Sequence, residues 1–173
     1  RVSGPAPAPG ALGVAADLDQ VWLSLGAAGS APSGATHVGS VLRVRDSERA
    51  AFVAEVRRIQ VEHGGIPVAV DAKGPASYLI PELELAGVDL VRGGLDDYVQ
   101  ACADMRAGVE HGGVEHGGYD DLSAAVAAAD WRKVGDRRVF ARKSGDISAL
   151  EAATWAAWAA RAVGHAAGPF NVW

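Results

Sequence analysis

The sequence predicts an α/β fold in which a mixed central sheet, an antiparallel meander followed by parallel strands, is flanked by helices. Three observations lead to this prediction. The first 45 residues contain three short apolar or alternating segments separated by turn residues. From residue 46 onward, helical patterns alternate with short apolar runs, as in parallel βαβ units. The apolar run of residues 66–70 leads directly into Asp71 and a Gly-Pro turn, which is typical of a strand buried on both faces.

The composition fits one soluble-type domain with a sizeable core. The chain has 173 residues, of which 49% are hydrophobic, and its formal net charge is −5. This charge argues against non-specific nucleic-acid binding by a polycation, although a local basic strip stays possible. The single cysteine, Cys102, excludes a disulfide within the chain and a cysteine-based zinc site. No apolar run resembles a membrane span, so no membrane partner is expected.

The domain boundaries follow from composition. Residues 1–10 are rich in Pro, Ala and Gly, which is typical of a linker, here expected to lead from a missing upstream domain. The start at Arg1 rather than Met suggests a fragment or a processed product. Residues 11–164 are predicted to form the domain. Residues 165–173 form a tail without a clear pattern, in which Phe170 and Trp173 could pack on the domain or bind a partner.

The first three strands form the meander. Residues 11–15 and 21–27 are apolar, and residues 16–20 supply the turn of a hairpin. Residues 36–45 alternate, which predicts a third strand at the edge of the sheet because one face is polar. The predicted faces carry two sets of side chains: His37, Gly39, Val41 and Arg43 on one, and Val38, Ser40, Leu42 and Val44 on the other.

The middle of the chain predicts alternating helices and strands. Ser47 is a plausible N-cap for a first helix, which the glycines after His63 end. After the strand that ends at Asp71, Pro75 opens a second helix that ends at Gly87. A strand over residues 88–91 and a third helix over residues 95–108 follow.

The last third of the chain begins with a small repeat, Val-Glu-His-Gly-Gly, starting at residues 109 and 114. We interpret it as a flexible surface loop, with a metal role for His111 and His116 as the alternative. A short alanine-rich helix over residues 121–129 comes next. The basic segment of residues 133–142 predicts a hairpin that is either a solvated edge or a phosphate-binding element. Ser148 and Glu151 have the spacing of a capping box at the start of a final helix that Gly164 ends.

Aspartates at the ends of separate elements are the candidate functional residues. Ligand sites of open α/β sheets lie beyond the carboxyl ends of the strands, where Asp71 is predicted to lie, although an aspartate there can also simply start a turn. Asp146 lies at the start of the last helix, where it could equally favour the helix dipole. Cleavage of a phosphodiester with two metal ions needs such converging carboxylates.

The predicted element order is the ribonuclease H-like order, and three segments make the likeness specific. Residues 12–22, 68–76 and 144–150 resemble, in this order, the C-terminal nuclease domain of tailed-phage terminase large subunits. The resemblance implies a ribonuclease H-like fold, a divalent-metal site and endonucleolytic cutting of concatemeric double-stranded viral DNA in the host cytoplasm. It also implies an upstream ATPase domain, with the portal protein and the small terminase subunit as partners.

One departure from the family concerns the first strand, where an aspartate usually follows Gly-Val and this chain has Ala15. Either Asp17, two residues further on, replaces that ligand, or the site is weakened or lost, by nature or by a deliberate substitution. We take the first option as the hypothesis: Asp17, Asp71 and Asp146 are the catalytic residues and bind two Mg²⁺ or Mn²⁺ ions.

Basic residues near these aspartates are the candidate DNA ligands. Lys73, Arg142 and Lys143 flank the proposed metal ligands in sequence, and Arg138 belongs to the basic hairpin. We expect these four to contact DNA phosphates, which carry no base information. Two other functions stay open: an inactive module of the same fold that docks DNA or the portal, and a resolvase or transposase type of nuclease.

Overall fold

A computed structural model describes residues 6–166, and of residues 163–166 only the helical backbone is described. Residues 1–5 of the predicted linker and the tail residues Phe170 and Trp173 lie outside the described part. The main sheet has six strands: β1 (Ala11–Ala16), β2 (Trp22–Ser30), β3 (Thr36–Arg45), β4 (Val68–Asp71), β5 (Leu90–Gly93) and β6 (Val114–His116). A separate hairpin consists of β7 (Trp131–Val134) and β8 (Arg137–Phe140). The predicted meander and late hairpin are therefore confirmed.

The strand order of the main sheet is β5-β4-β1-β2-β3-β6. Strand β1 pairs antiparallel with β2, as the predicted hairpin requires, and parallel with β4 at the centre of the sheet. Two expectations were wrong. Strand β3 is not at the edge, because β6 pairs in parallel with its first three residues. The repeat around His116 is correspondingly not only a loop, since its second copy contributes β6.

Five α-helices cover the sheet: α1 (Arg49–Glu62), α2 (Ile80–Leu85), α3 (Leu95–Glu110), α4 (Asp120–Ala128) and α5 (Ser148–Ala166). Helix α1 buries Phe52, Val53, Val56, Ile59 and Gln60. Ser47 is not its cap, because residues 46–48 form a 3₁₀ turn without a capping side chain. Gly164 does not end α5, which continues to Ala166. None of the helices within residues 6–166 is long and apolar enough to cross a membrane.

Two apolar cores lie on opposite faces of the sheet. Leu12, Val14 and Val70 pack with α1 on one face. The other face is covered by α5, which approaches the sheet closely because glycines face it. A Cβ atom on Gly13 would lie 2.1 Å from the carbonyl oxygen of Ala152, and one on Gly26 would lie 2.5 Å from the same turn of α5. These two glycines therefore fix the height of α5 above the strands.

A β-bulge in β3 changes which side chains face α5. Leu25 of β2 pairs with Leu42 and the next residue pairs with Ser40, so Val41 has no partner in the ladder. The extra residue reverses the alternation beyond it, and Arg43 lies on the α5 face together with Ser40 rather than on the face of His37. The predicted assignment of β3 side chains to faces was therefore wrong from residue 42 onward.

Candidate metal centre

An open cavity of about 480 Å³ lies where β1 ends, next to the start of α5. Two parts of the chain line it: the turn between β1 and β2, and the segment between β8 and α5. The lining side chains with charge are Asp17, Asp19, Arg142, Lys143 and Asp146. The cavity thus combines carboxylates and cationic groups from segments more than 120 residues apart, and it lies beyond the carboxyl end of β1, as ligand sites of this fold class do.

Asp17 is held by the turn that it begins. Its Oδ1 accepts hydrogen bonds from the backbone N–H groups of Val21 and Trp22, at 2.7 and 2.6 Å. Gln20 closes this turn with a positive φ of 57°. Asp17 therefore has a fixed position on the wall of the cavity that Asp146 also lines, and its second carboxylate oxygen has no hydrogen-bond donor among the described residues.

Asp146 is fixed by the first turn of α5. Its Oδ1 accepts bonds from the backbone N–H and the hydroxyl of Ser148, at 2.9 and 2.7 Å, and its Oδ2 binds Arg43. The predicted capping box is therefore wrong: the Ser148 hydroxyl lies with Asp146 and with Ser24, 2.8 Å away. Burial acts to raise the pKa of Asp146, but the hydrogen bonds from Arg43 and Ser148 outweigh it and hold the pKa below its usual value.

The strand register places a polar row across the sheet under the start of α5. Ala15 pairs with Ser24, and Ser24 pairs with Arg43. On the other side, Val14 pairs with Val70, so Asp71 is the next position beside Ala15. Ala15, only 4% exposed, therefore lies between Asp71 and Ser24. Ala15 thus contributes a methyl group and no carboxylate to this row.

Asp71 is tied to the centre through Arg142. The Nη2 atom of Arg142 lies 2.6 Å from Asp71 Oδ2, and its Nε donates to Glu151 Oε1 at 2.8 Å. Glu151 is 2% exposed and also accepts a hydrogen bond from the hydroxyl of Tyr98. Burial raises the pKa of Glu151, and the guanidinium of Arg142 opposes that shift. Arg142 thus joins Asp71 to a fully buried carboxylate while it lines the cavity with Asp17 and Asp146.

The carboxylates of this centre are the right ligand type for a hard divalent cation, but they are too far apart to bind one as they stand. All candidate ligands are carboxylates, the ligand type that Mg²⁺ and Mn²⁺ prefer. Among the described residues, however, no three His, Cys, Asp or Glu side chains lie close enough together to hold one ion as they stand. Guanidinium groups already bind two of the predicted ligands, Arg43 at Asp146 and Arg142 at Asp71. The positive charge next to Asp146 and Asp71 is therefore supplied by arginine side chains.

The predicted DNA ligands divide between two places. Arg142 and the exposed Lys143 line the cavity, and Lys73 lies just after Asp71, whose Oδ1 accepts its backbone N–H. Arg138 is not part of this group. It lies on the hairpin and lines a second cavity of about 400 Å³ beside α3, together with Trp131.

Three residues of the centre were not identified from sequence. Glu151 was assigned to a cap and Arg43 to the other face of β3, and Tyr98 was not singled out. Glu151 offered one signal, because it is the only charged residue between Ser148 and Trp158 on an otherwise apolar, alanine-rich helix. A lone charge on such a helix is buried only with a partner.

The topology and this centre define a ribonuclease H-like α/β fold with acidic residues at the ends of β1 and β4 and at the start of α5. No protein-family model matches the sequence, and no curated protein is a detectable sequence relative. Solved structures do match. The large terminase of bacteriophage HK97 aligns with a TM-score of 0.65 and 18% identity over 91% of this chain. The chain covers 40% of that HK97 protein, so it spans about two fifths of its length.

The large terminase nuclease of the thermophilic phage G20c is similar in structure to this chain over most of the length of both proteins. Its structure aligns with a TM-score of 0.62 and 14% identity, over 84% of this chain and 80% of the nuclease. The same nuclease with bound magnesium aligns with a TM-score of 0.63, over 90% of this chain and 84% of that one. The resemblance to phage terminase nuclease domains is therefore confirmed, and at these identities it establishes the fold.

Proposed function

We propose that this chain is the nuclease domain of a phage large terminase, a divalent-metal-dependent endonuclease that cuts double-stranded DNA. One observation carries the proposal: Asp17 and Asp146, from distant segments, line one cavity beyond the end of β1, and Asp71 binds Arg142, which lines the same cavity. The fold shared with the HK97 and G20c proteins supports it. A cobalt-bound and a magnesium-bound form of the G20c nuclease are consistent with a divalent ion as cofactor.

Each residue has a role that follows from its surroundings. Asp17, Asp71 and Asp146 would hold the metal, which when bound would activate water and stabilise the leaving oxygen of the phosphodiester. Asp146 is suited to this role because its lowered pKa keeps it ionised at neutral pH. Lys143 and Arg142 line the cavity, where they would bind DNA phosphates and bring the backbone to the carboxylates. Lys73 extends this basic rim beside Asp71.

We further propose that, in the full-length protein, this domain cuts concatemeric viral DNA during genome packaging in the host cytoplasm. An ATPase domain precedes it in the full-length protein, and the portal protein and small terminase subunit are its partners. The linker composition of residues 1–10 and the coverage of two fifths of the HK97 large terminase support an additional domain.

A second candidate function is an inactive module that binds DNA or the portal without cutting. Two observations favour it. Ala15 removes a carboxylate from the row beside Asp71, and Arg43 and Arg142 already neutralise two of the remaining ligands. On this hypothesis the basic rim would still bind phosphates, but nothing would be cleaved.

A plasmid-nicking assay separates the two functions. Supercoiled DNA is incubated with the purified chain and Mn²⁺ or Mg²⁺, and relaxed and linear products are measured. We expect nicking by the wild type, none by Asp71→Asn, and undiminished nicking by the matched control Asp89→Asn, whose side chain is exposed outside the cavity. DNA binding without nicking in the wild type would support the docking module instead. Preferential cutting of branched DNA would indicate a resolvase.

In a parallel reaction, Ala15→Asp restores the carboxylate of the usual first-strand position. If Asp17 replaces that ligand, the variant gains little activity over the wild type. A large gain would mean that the wild-type centre is weakened and that Asp17 does not substitute for the missing group.

A further inference from the structure

Arg45, the last residue of β3, is an exposed cation next to the cavity. It pairs with Trp22 of β2 in the strand ladder. Its Cζ atom lies 4.7 Å from the ring centroid of Trp22, a cation–π distance. Trp22 lines the cavity together with Lys143. Arg45 therefore borders the same cavity as Lys143, but from a different segment of the chain.

A comparison with Arg43 shows that the charge of Arg45 is free to bind a ligand. Arg43 lies two residues earlier on the same face of β3, with its Cζ atom 3.8 Å from the centroid of the Trp22 ring, and its guanidinium binds Asp146. The guanidinium of Arg45 has no carboxylate partner among the described residues, since Glu48 accepts only the backbone N–H of Arg45, at 3.4 Å. A phosphate at Arg43 would compete with Asp146, whereas a phosphate at Arg45 would displace no ion pair.

The stack on Trp22 also restricts where the guanidinium of Arg45 lies. A guanidinium group is planar, so it can rest on an aromatic ring while its N–H groups point outward to phosphate oxygens. A side chain that is already held in place loses less conformational freedom when a ligand binds it. Arg45 thus combines an unpaired charge with a restricted position.

The other charges near the cavity make such a cation important for an anionic partner. The chain has a formal net charge of −5, and Asp17 and Asp19 line the cavity, where they repel phosphates. A nucleic-acid backbone that approaches the cavity therefore needs unpaired cations beside it. Lys143 is exposed and has no ion-pair partner in residues 6–166, so it supplies one such charge, and Arg45 supplies another.

We infer that Arg45, stacked on Trp22, is a further phosphate-binding residue, and that DNA at this cavity contacts the end of β3 as well as the segment after β8. The inference rests on the proposed function, because it takes double-stranded DNA as the partner. It requires no metal ion, since it concerns only the contacts of cationic side chains with the DNA backbone.

The salt dependence of DNA binding in EDTA tests this inference without metal or cleavage. Binding of the chain to a fluorescently labelled duplex is measured by anisotropy at several salt concentrations. We expect Arg45→Ala to remove about one phosphate contact, so that the loss of affinity between about 50 and 200 mM salt becomes about 3.5-fold smaller. Arg45→Lys keeps the charge and should retain the wild-type slope. The control Arg58→Ala removes an exposed arginine of α1 that is paired with Glu55 and Glu62, and it should also retain that slope.

The outcomes separate the inference from the function on which it rests. An unchanged slope in Arg45→Ala, together with a lowered slope in Lys143→Ala, would overturn the inference and leave DNA binding at the cavity standing. A lowered slope that Arg45→Lys does not restore, or that Arg58→Ala reproduces, would also overturn it, because the effect would then not come from the charge at this position. A wild type without salt-dependent DNA binding would overturn the inference and the basic rim together, while the plasmid-nicking assay decides the nuclease separately.

Discussion

Removing Arg142 should destabilise the domain through Glu151. The pair is almost enclosed, with 2% of the Glu151 side chain and 17% of the Arg142 side chain exposed. Breaking a buried ion pair by removing one partner costs about 3–5 kcal/mol, and the partial exposure of Arg142 favours the lower end. We therefore expect Arg142→Met to lower the free energy of unfolding by about 3 kcal/mol at pH 8. The assay is urea unfolding followed by tryptophan fluorescence.

The pH dependence and a double variant identify the cause. Burial raises the pKa of Glu151, and loss of Arg142 should raise it further. A carboxyl group whose pKa is higher in the folded than in the unfolded protein does not destabilise the fold at pH values below its unfolded-state pKa, near 4.5. It destabilises the fold as the pH rises from there through its folded-state pKa. The deficit of Arg142→Met should thus shrink toward acidic pH, and adding Glu151→Gln should recover most of it. A loss below about 0.5 kcal/mol, the range of ordinary surface substitutions, or a double variant no more stable than the single one, would refute this reasoning.

Three further predictions concern the same region. Gly26→Ala should destabilise by about 1–3 kcal/mol, because its Cβ meets the backbone of α5, whereas Gly10→Ala, with its nearest neighbour at 3.7 Å, should unfold at the wild-type urea concentration. Asp146 has a lowered pKa, so it stabilises the fold above its usual pKa of 3.8 and loses this as pH falls. Asp146→Asn should therefore flatten the loss of stability on acidification, and an unchanged slope would contradict the pairing seen here. Lys143→Ala should reduce the salt dependence of DNA binding by about one phosphate contact, measured by fluorescence anisotropy between low and high salt, while Arg58→Ala should not.

The central strands and the position of Asp71 at the end of one of them could be predicted from local patterns. Apolar runs bounded by turn residues mark β1, β2 and β4 wherever burial is continuous, and the structure confirms these strands within about one to three residues. Strand β5 begins at Leu90 rather than at residue 88, because residues 88 and 89 still belong to the exit from α2. The ends of their elements predicted positions near the strand ends for both aspartates: Asp146 lines the cavity, and Asp71 binds Arg142, which also lines it.

The positions of Arg43 and Glu151 could not be predicted in the same way. The side of Arg43 depends on one extra residue at Val41, and strict alternation cannot reveal a bulge. The partners of Glu151 come from α3, 53 residues away, and from the segment after β8, so its spacing to Ser148 suggested a local cap that does not form. The spacing of residues along the chain therefore identifies neither the bulge that turns Arg43 nor the partners of Glu151.

Anomalous diffraction from crystals soaked in Mn²⁺ tests the central claim most directly. We predict an Mn²⁺ peak beside Asp71 and Asp146, at the cavity that Asp17 and Asp146 line. The absence of any peak beside Asp71 and Asp146 would contradict a metal centre.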